Sequence, residues 1–435
     1  MSILINHIYW FLNIEGRKME KRRVVITGMG VVAPNGIGID AFWDSLVHGR
    51  SAIKRITRFD ASSYPCKIAA EISDFDPTDY MDPKTVKRLD RYTQYSLASA
   101  SMAINNSKLN IRDLDPFRIG VFTATAIGGG ETSEKQHLIF IEKGLKRMSP
   151  FTLRGISTHT SAAVISEVFN IKGPNTTITS GCNSGLDAIY LAYNIIKLGD
   201  ADIMIVGAGE APITPYIMAV FSLRGILCTN NNGEPEEAVK PYDVDASGIV
   251  LGEGGGAVIL EELNHALKRG ANIYGEIIGY SSLNEAYVFG TKTNPEIMAK
   301  AFQLAFKKAN IRAQDVSYIN SHGNAIVEYD LGETEAIKIA FGEWAYHIPI
   351  SSIKPVTGQS LSVTGVYQMI SSLLVLKNGV IPPTINLKNP APGCDLNYVP
   401  NHSIKRNVSI VLMNAHGFGG IHTVVIVRKF NGDIY

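Results

Sequence analysis

The sequence predicts a layered α/β protein built from two similar halves, and three observations lead to this fold class. Apolar, β-branched segments alternate with helical segments along the chain, which is typical of sheets covered by helices. The strand-like segments are apolar almost throughout, as expected for strands buried on both faces. The same order of segments then occurs twice, and 45% of the 435 residues are hydrophobic, which is enough for a large core.

The first copy of the repeat lies in the N-terminal half. A β-branched segment at 175–180 (NTTITS) is followed by a Gly/Cys turn and by a helical segment from Leu186 to Leu198. This segment is apolar on nearly every face, which predicts a buried helix. Two strand-like segments complete the copy, ADIMIVGAGE at 201–210 and GGAVILEE at 255–262.

The second copy has the same order. The strand-like IPISSIK at 348–354 leads through a turn to a helix-like segment at 364–379, and NVSIVLMNAHGFGG at 407–420 and IHTVVIVRK at 421–429 follow. We therefore expect two packed halves that join near residue 270. Sites in α/β folds lie at the carboxyl ends of strands, so we expect the chemistry where equivalent turns of the two halves meet.

The repeat also sets the expected domain boundaries: an N-terminal half at 21–270, a C-terminal half at 271–435, and a loosely ordered extension at 1–20 outside the fold. The extension has neither the basic start nor the cleavage site of an export signal, and its apolar stretch is too short to span a bilayer. Four cysteines without C-x-x-C spacing are expected to be free thiols, which predicts a cytoplasmic protein. With 41 basic and 40 acidic residues, the chain lacks the charge to bind nucleic acid.

The segment TSGCNSGLDA at 179–188 carries the sharpest chemical signal, because a strand ends and a buried helix begins at its cysteine. A helix N-terminus favours a thiolate by about 0.3 to 1 kcal/mol, which predicts that Cys182 is a nucleophile. The flanking glycines let a substrate approach the backbone N–H of Cys182, as an oxyanion requires. The alternative is that Cys182 is a small, inert core residue.

Histidines occur at equivalent strand ends in the second half. His322, in YINSHGN, and His416, in NAHGFGG, both follow strand-like segments and precede glycine, so either could serve as a base or polarising group. The turn after His416 contains Gly417, Phe418 and Gly419, whose N–H groups could hold an anion with Phe418 as a gate. A tight turn between packed strands is the alternative for the same glycines.

Lys354 lies in an otherwise apolar segment, ISSIKPVTGQ, and a buried lysine needs a carboxylate partner. Glu333, eleven residues after His322, is the expected partner. We interpret the pair as support for the site.

A competing motif lies near the N-terminus. VVITGMGVVA places Gly28, Gly30 and Ala33 in the pattern G-x-G-x-x-A, which occurs in dinucleotide-binding folds. That interpretation needs a helix from about Gly30, and Pro34 with the turn after it argues against one.

Taken together, these motifs resemble the β-ketoacyl synthases of the thiolase superfamily, of the KAS II type. The resemblance covers roughly residues 21 to 430, and GCNSGLDA with EAPITP is most similar to the ketosynthase subunits of type II polyketide synthases. The segments that carry it are RRVVITGMGVVAPNG (22–36), LDRYTQYSLASA (89–100), KGPNTTITSGCNSGLDA (172–188), KPYDVDASGIVLGEGGGAVILEE (240–262), SHGN (321–324), SSIKPVTGQSLSVTG (351–365) and NAHGFGG (414–420). The resemblance implies a thiolase-like, five-layered αβαβα fold.

The resemblance also implies a two-step acyl transfer. Cys182 would take an acyl group from an acyl carrier protein, and malonyl carrier protein would lose CO2 and attack the acyl-Cys182. The backbone N–H groups of Cys182 and Phe418 would form the oxyanion hole, with Phe418 as gate, and His322 would polarise the malonyl thioester. Lys354 and Glu333 would form the supporting ion pair. Phosphopantetheine arrives on the carrier protein, so no intrinsic cofactor or metal is expected.

The chain departs from the family pattern around the extender site. Gln359 stands where the family has its second histidine, and a glutamine amide can donate a hydrogen bond but cannot carry a proton. Asn324 and Ile326 replace the threonines of H-G-T-G-T, which meet the pantetheine arm. The substrate would also contact the altered glycine-rich turn at His416, Gly417 and Gly419, whose neighbours Ile421 and His422 replace a family Thr and Asn. Loading of Cys182 is therefore better supported than condensation.

Two alternatives remain open at this stage. The altered extender site favours a non-extending ketosynthase that transfers or offloads acyl groups. A chain-length-factor-like partner subunit is the other alternative, although such subunits usually lack the cysteine present here as Cys182. Family membership predicts a dimer, either with a second copy or with a chain-length-factor subunit. The sequence does not determine acyl length, starter or product.

Overall fold

The structure is a computed structural model, and it describes residues 22–230, 233–286 and 293–432. The extension expected at 1–20 lies outside these described residues. No helix within them is long and apolar enough to cross a membrane.

The described chain alternates strands and helices. The strands are β1 (Val24–Ala33), β2 (Gly36–Ile37), β3 (Lys54–Arg55), β4 (Ile68–Ala69), β5 (Ile119–Ala124), β6 (Asn175–Ile178), β7 (Ile203–Glu210), β8 (Gly254–Glu262), β9 (Gly275–Asn284), β10 (Tyr318–Asn320), β11 (Ile350–Ser351), β12 (Val380–Ile381), β13 (Ile404–Lys405), β14 (Ile410–Gly417) and β15 (Ile421–Arg428). The helices are α1 (Ile39–Val47), α2 (Pro83–Val86), α3 (Arg91–Ser107), α4 (Gly130–Lys143), α5 (Thr152–Ile156), α6 (Thr160–Phe169), α7 (Ser184–Leu198), α8 (Pro215–Leu223), α9 (Leu263–Lys268), α10 (Pro295–Ala309), α11 (Val327–Phe341), α12 (Lys354–Thr357) and α13 (Val363–Asn378).

The strand order is the same in the two halves. The first half runs β1-β8-β7-β5-β6 and the second runs β9-β15-β14-β10-β11. In each run the first two pairings are antiparallel and the last two are parallel. A short antiparallel pairing of β1 with β9, from Val24 opposite Ile277 to Ile26 opposite Gly275, joins the two sheets. The prediction of two similar halves is confirmed.

Helices form three further layers around the two sheets. Helices α7 and α13 pack on each other, and each contacts strands of both halves, so they form the central layer. Residues Val363 to Leu376 of α13 are all buried, as expected for a helix in a central layer. Helices α3 and α6 cover the outside of the first sheet, and α10, with α11 packed on it, covers the outside of the second. The predicted five-layered αβαβα fold is therefore confirmed.

The glycines near the N-terminus serve helix packing and not nucleotide binding. Strand β1 continues through Ala33, so no helix follows Gly30. A Cβ atom on Gly28 would collide with the backbone oxygen of Ala103 in α3, and one on Gly30 with that of Ser99. The G-x-G-x-x-A pattern therefore marks a close approach of helix α3 to the sheet, and the dinucleotide alternative is wrong.

Candidate active site

Five strand ends converge where the two halves meet. Strand β6 leads to Cys182 and β7 ends at Glu210 in the first half. In the second half, β10 leads to His322, β11 leads to the loop with Gln359, and β14 ends beside His416. The site thus lies at the carboxyl ends of the strands, as α/β folds favour.

Cys182 lies in a single 3₁₀ turn, Gly181–Asn183, that leads directly into α7. Gly181 has a φ of +71°, a conformation that favours glycine. The Ser180 N–H donates to the Ser184 hydroxyl oxygen at 2.8 Å, and this hydroxyl donates to the Gly181 carbonyl at 2.7 Å. The turn is therefore held by its own side chains.

The second half fixes the cysteine turn from the other side. Asn183, which is fully buried, donates from Nδ2 to the carbonyl oxygens of Ala415 at 2.8 Å and Ile421 at 3.2 Å. Gly417 packs so closely on this turn that an added Cβ would lie 2.9 Å from Asn183 Oδ1 and 3.3 Å from Cys182 Cβ. The glycine at 417 therefore lets the glycine-rich turn touch the cysteine.

The surroundings of Cys182 favour the protonated form of its thiol. Burial raises its pKa to about 11, although the Lys354 charge and a hydrogen bond from Gln359 act in the opposite direction. Gln359 Nε2 donates to the sulfur at 3.5 Å, and Thr364 donates to Gln359 Oε1 at 3.4 Å. The helix dipole expected to favour the thiolate changes a pKa by at most roughly one unit, so burial outweighs it.

His322 is buried and neutral. Burial and the nearby His416, Lys354 and His422 lower its pKa well below the ordinary value. Its Nε2 lies 3.2 Å from Asn324 Nδ2 and its Nδ1 lies 3.4 Å from the His416 backbone nitrogen, so a donor faces each ring nitrogen. The His322 and His416 rings lie 3.9 Å apart between centroids.

Lys354 and Glu333 hold the His322 backbone from two sides. Among the described residues they do not form the direct ion pair that was expected. The Lys354 ammonium donates to the His322 carbonyl, while Glu333 Oε1 accepts from the His322 N–H at 2.7 Å and Oε2 from the Gly323 N–H at 2.9 Å. Burial lowers the pKa of Lys354 to about 8, and the charge of Glu333 opposes that shift. The difference arises because the His322 peptide lies between the two side chains.

Side-chain oxygens of Asp330 and Asn324 hold the backbone of the loop after His322 through hydrogen bonds. Asp330 accepts from the N–H groups of Asn324 at 3.0 Å and Ala325 at 3.2 Å, and Ala325 has a φ of +67° where the family motif has glycine. Asn324 Oδ1 accepts from the Ile326 N–H at 3.0 Å. Both side chains predicted to meet the substrate are buried: Asn324 is turned toward His322, and Ile326 packs in an apolar cluster with Leu361.

The glycine-rich turn presents Phe418 at the surface. Its side chain is 36% exposed, and the Arg224 guanidinium lies 5.6 Å above the ring. Gly419, with a φ of +95°, accepts through its carbonyl from Asn284 Nδ2 at 2.6 Å. The ring is therefore open to solvent, on the same turn whose Gly417 contacts the cysteine turn.

Two carboxylates near the site, Glu285 and Glu210, were not predicted from the sequence. His422 hydrogen bonds to Glu285 through Nε2, while Nε2 of His416 has no partner within the described chain. Glu210 accepts from the Ser362 hydroxyl at 2.6 Å, and burial raises its pKa to about 7. The signal for Glu210 was available, because it is a carboxylate at the end of the apolar strand 201–210.

An apolar cavity of about 940 Å³ lies between α4 and α8. Ile127 and Phe221 line it, and they also pack with Cys182 against one apolar cluster. The other apolar residues of its wall include Phe140, Met148, Ile217 and Val220.

The fold and the site together define a thiolase-like condensing enzyme. Models of the N-terminal and C-terminal domains of β-ketoacyl synthases match residues 21–266 and 274–388. The 3-oxoacyl-[acyl-carrier-protein] synthase 2 of Coxiella burnetii is 41% identical over 418 residues, which cover 95% of this chain and 100% of the relative.

Solved structures agree with this class. A type II polyketide ketosynthase in complex with its acyl carrier protein and bound to the hexaketide matches with a TM-score of 0.88 at 32% identity, over 94% of this chain and 100% of that one. The ishigamide ketosynthase/chain length factor matches with a TM-score of 0.89 at 29% identity, over 95% of this chain and 100% of that one. The chain belongs to the β-ketoacyl synthase family and is a condensing enzyme of the acyltransferase type. The resemblance drawn from the motifs is confirmed.

Proposed function

We propose that this chain loads an acyl group from an acyl carrier protein onto Cys182 and extends it by decarboxylative Claisen condensation with malonyl carrier protein, in fatty-acid or type II polyketide synthesis. The observation that carries the proposal is that residues of the second half contact Cys182 of the first. Cys182 of the first half receives the Gln359 amide and touches Gly417, both from the second half.

Loading requires a nucleophile and an oxyanion site. The Cys182 sulfur bonds to the acyl carbonyl carbon, the carbon–sulfur bond to the pantetheine breaks, and the thiol proton ends on the pantetheine sulfur. We assign the oxyanion site to the backbone N–H groups of Cys182 and Phe418, on the two turns that Gly417 brings together. The apolar cavity bordered by Ile127 and Phe221 would hold the acyl chain.

Extension requires a site that stabilises an enolate. The bond between the malonyl α-carbon and its carboxylate breaks, CO2 leaves, and the electron pair moves to the thioester oxygen. The α-carbon then attacks the acyl carbonyl and releases the Cys182 thiolate, which takes a proton from water. We assign the donors to the enolate oxygen to His322 and Gln359, with Lys354 and Glu333 holding the His322 backbone. We also assign Asn324, Ile326, His416 and Gly419 to contacts with the extender substrate.

Partners and cofactor follow from the same chemistry. The phosphopantetheine comes with the carrier protein, in line with the carrier complex of the similar ketosynthase. We propose a dimer, with a second copy or with a chain-length-factor subunit such as the one in the ishigamide pair. The four free cysteines support a cytoplasmic location. The division of the chain at residue 270 stays a prediction.

A non-extending acyltransferase is the second candidate. Gln359 cannot carry a proton, and the Asn324 amide faces His322 Nε2, so two groups that would serve the extender are altered. Cys182 argues against a partner subunit without catalysis of its own.

Intact-mass analysis tests these candidates directly. The protein is incubated with acyl carrier protein and then with malonyl carrier protein, and Cys182→Ala is the control. The proposal predicts an acylated protein, then CO2 release and a ketoacyl product. Acylation without any CO2 release would favour the non-extending enzyme, and product formation by assembled complexes that contain Cys182→Ala would restore the partner subunit.

A further inference from the structure

The side chain of Asn324 makes an unusual contact with the histidine of the site. Its Nδ2 lies 3.2 Å from His322 Nε2, and both side chains are buried, with exposed fractions of 3% and 2%. The amide cannot reverse freely, because its Oδ1 accepts from the Ile326 N–H at 3.0 Å. The nitrogen end of the amide, which is a donor, therefore faces the ring.

This contact determines where the proton of His322 resides. A neutral imidazole has one N–H donor and one acceptor nitrogen, and the hydrogen bond at one nitrogen fixes the role of the other. Asn324 requires Nε2 to be the acceptor. The competing donor at Nδ1, the His416 backbone N–H, is farther away at 3.4 Å. A neutral ring cannot accept at both nitrogens, so the two donors compete, and the shorter contact at Nε2 favours the tautomer with the proton on Nδ1.

We propose that Asn324 is a positioning residue that holds His322 in the tautomer with its proton on Nδ1, so that extension, but not loading, must wait until Asn324 releases the ring. An enolate oxygen gains charge as CO2 leaves, and it needs an N–H donor from Nε2 at that moment. While the amide occupies Nε2, that nitrogen has no proton to donate. The inference rests on the proposed function, since it concerns the extension step.

The variant Asn324→Thr separates the two bonds of the amide. A threonine hydroxyl oxygen can still accept from the Ile326 N–H, as in related turns, but threonine has no amide nitrogen to direct at His322. Asn324→Ser makes the same change with less bulk, and it replaces the threonine variant if that variant melts at a lower temperature. Ile326→Thr adds a hydroxyl two residues further along the chain and leaves the Asn324 amide in place, so it serves as the control for the NMR measurement.

Two measurements test the proposal. In 15N-histidine NMR, with His322→Ala for assignment, the wild-type protein is expected to show Nδ1 protonated, Asn324→Thr to show a shift toward protonated Nε2, and Ile326→Thr to match the wild type. Release of CO2 from malonyl carrier protein by acylated enzyme is expected to rise roughly two- to tenfold in Asn324→Thr, the effect of removing one hydrogen bond. The rate of Cys182 acylation is expected to change less than the rate of CO2 release.

The results distinguish this inference from the proposed function. A wild-type His322 already protonated on Nε2, an unchanged tautomer in Asn324→Thr, or an equal increase in Cys182 acylation would each overturn the role of Asn324. If neither wild type nor variant releases CO2, the proposed condensation fails, and the tautomer measurement still decides the role of Asn324.

Discussion

In the proposed mechanism the Gln359 amide donates to the enolate oxygen, and Gln359→Leu tests this role. Leucine keeps a side chain of similar size in a position that is 3% exposed, but it removes the N–H that donates to Cys182 Sγ at 3.5 Å. We expect extension to fall far more than loading, because the same N–H is assigned to the enolate oxygen.

The expected changes in rate follow from the two hydrogen bonds of the Gln359 N–H, the one assigned to the enolate oxygen and the one to Cys182 Sγ. Loss of one oxyanion donor costs about 2.7 to 4 kcal/mol, which lowers the rate of extension by roughly 10²- to 10³-fold. The bond to sulfur is long and sulfur is a weak acceptor, so its loss lowers the rate of loading by less than about tenfold. Thr364 loses an acceptor at 3.4 Å, which lowers the free energy of unfolding by about 1 kcal/mol or less.

The assay measures the two steps separately. Mass spectrometry of protein quenched at short times gives the rate of Cys182 acylation, and labelled CO2 from malonyl carrier protein gives the rate of extension. Gln359→Glu is the matched control, because it keeps the shape but places a negative charge beside the sulfur. That charge raises the pKa of the thiol further, so the glutamate variant should slow both steps.

One result would refute this reasoning. If Gln359→Leu released CO2 at the wild-type rate while Cys182 was acylated, the amide would have no part in stabilising the enolate. The assignment of Gln359 to the extender site would then be wrong, whatever happened to loading.

Three further predictions concern the thiol, the packing of the sheet and the support of the histidine. Alkylation of Cys182 should speed up about tenfold per pH unit from about pH 7 to about pH 10, because burial raises the thiol pKa to about 11 and only the thiolate reacts; peptide mass mapping measures this, and a plateau below about pH 8 would contradict it. Gly30→Ala should lower the free energy of unfolding by about 1 to 3 kcal/mol in denaturant titrations, because the added methyl meets the Ser99 carbonyl; an unchanged midpoint would mean that helix α3 shifts without cost. Glu333→Gln should cost about 1 to 3 kcal/mol in unfolding experiments, because its amide nitrogen cannot accept from the N–H groups around His322; equal stability would show that the carboxylate is not needed.

Features that depend on order along the chain could be predicted from the sequence. The repeated order of strands and helices predicted two halves with the same topology, because most of the strand-like segments are buried; β6, at the edge of the sheet, is the exception. The position of Cys182 between a strand and a buried helix likewise followed from residues close to it. Local sequence patterns were sufficient to predict features that depend only on residues close together in the chain.

Features that depend on distances across the fold could not be predicted. The glycines of β1 fit both a nucleotide turn and a close helix contact, and only the approach of α3 decides between them. Lys354 and Glu333 were expected to meet directly, because the sequence does not show that the His322 peptide lies between them. The thiol pKa of Cys182 was expected to be low, because the helix dipole is visible in the sequence and the depth of burial is not.

The division of labour between the halves explains why the departures from the family pattern need not affect both steps. The first half supplies Cys182, whose turn is held by Ser180, Ser184 and Asn183. The second half supplies the side chains that we propose to face the extender, including Asn324 beside His322 and Gln359 beside Cys182. A change in a loop of the second half can alter the hydrogen bonds offered to an enolate while the cysteine turn keeps its geometry. Loading and extension are therefore separable by mutation, and a variant that changes both equally has disturbed the contact between the halves.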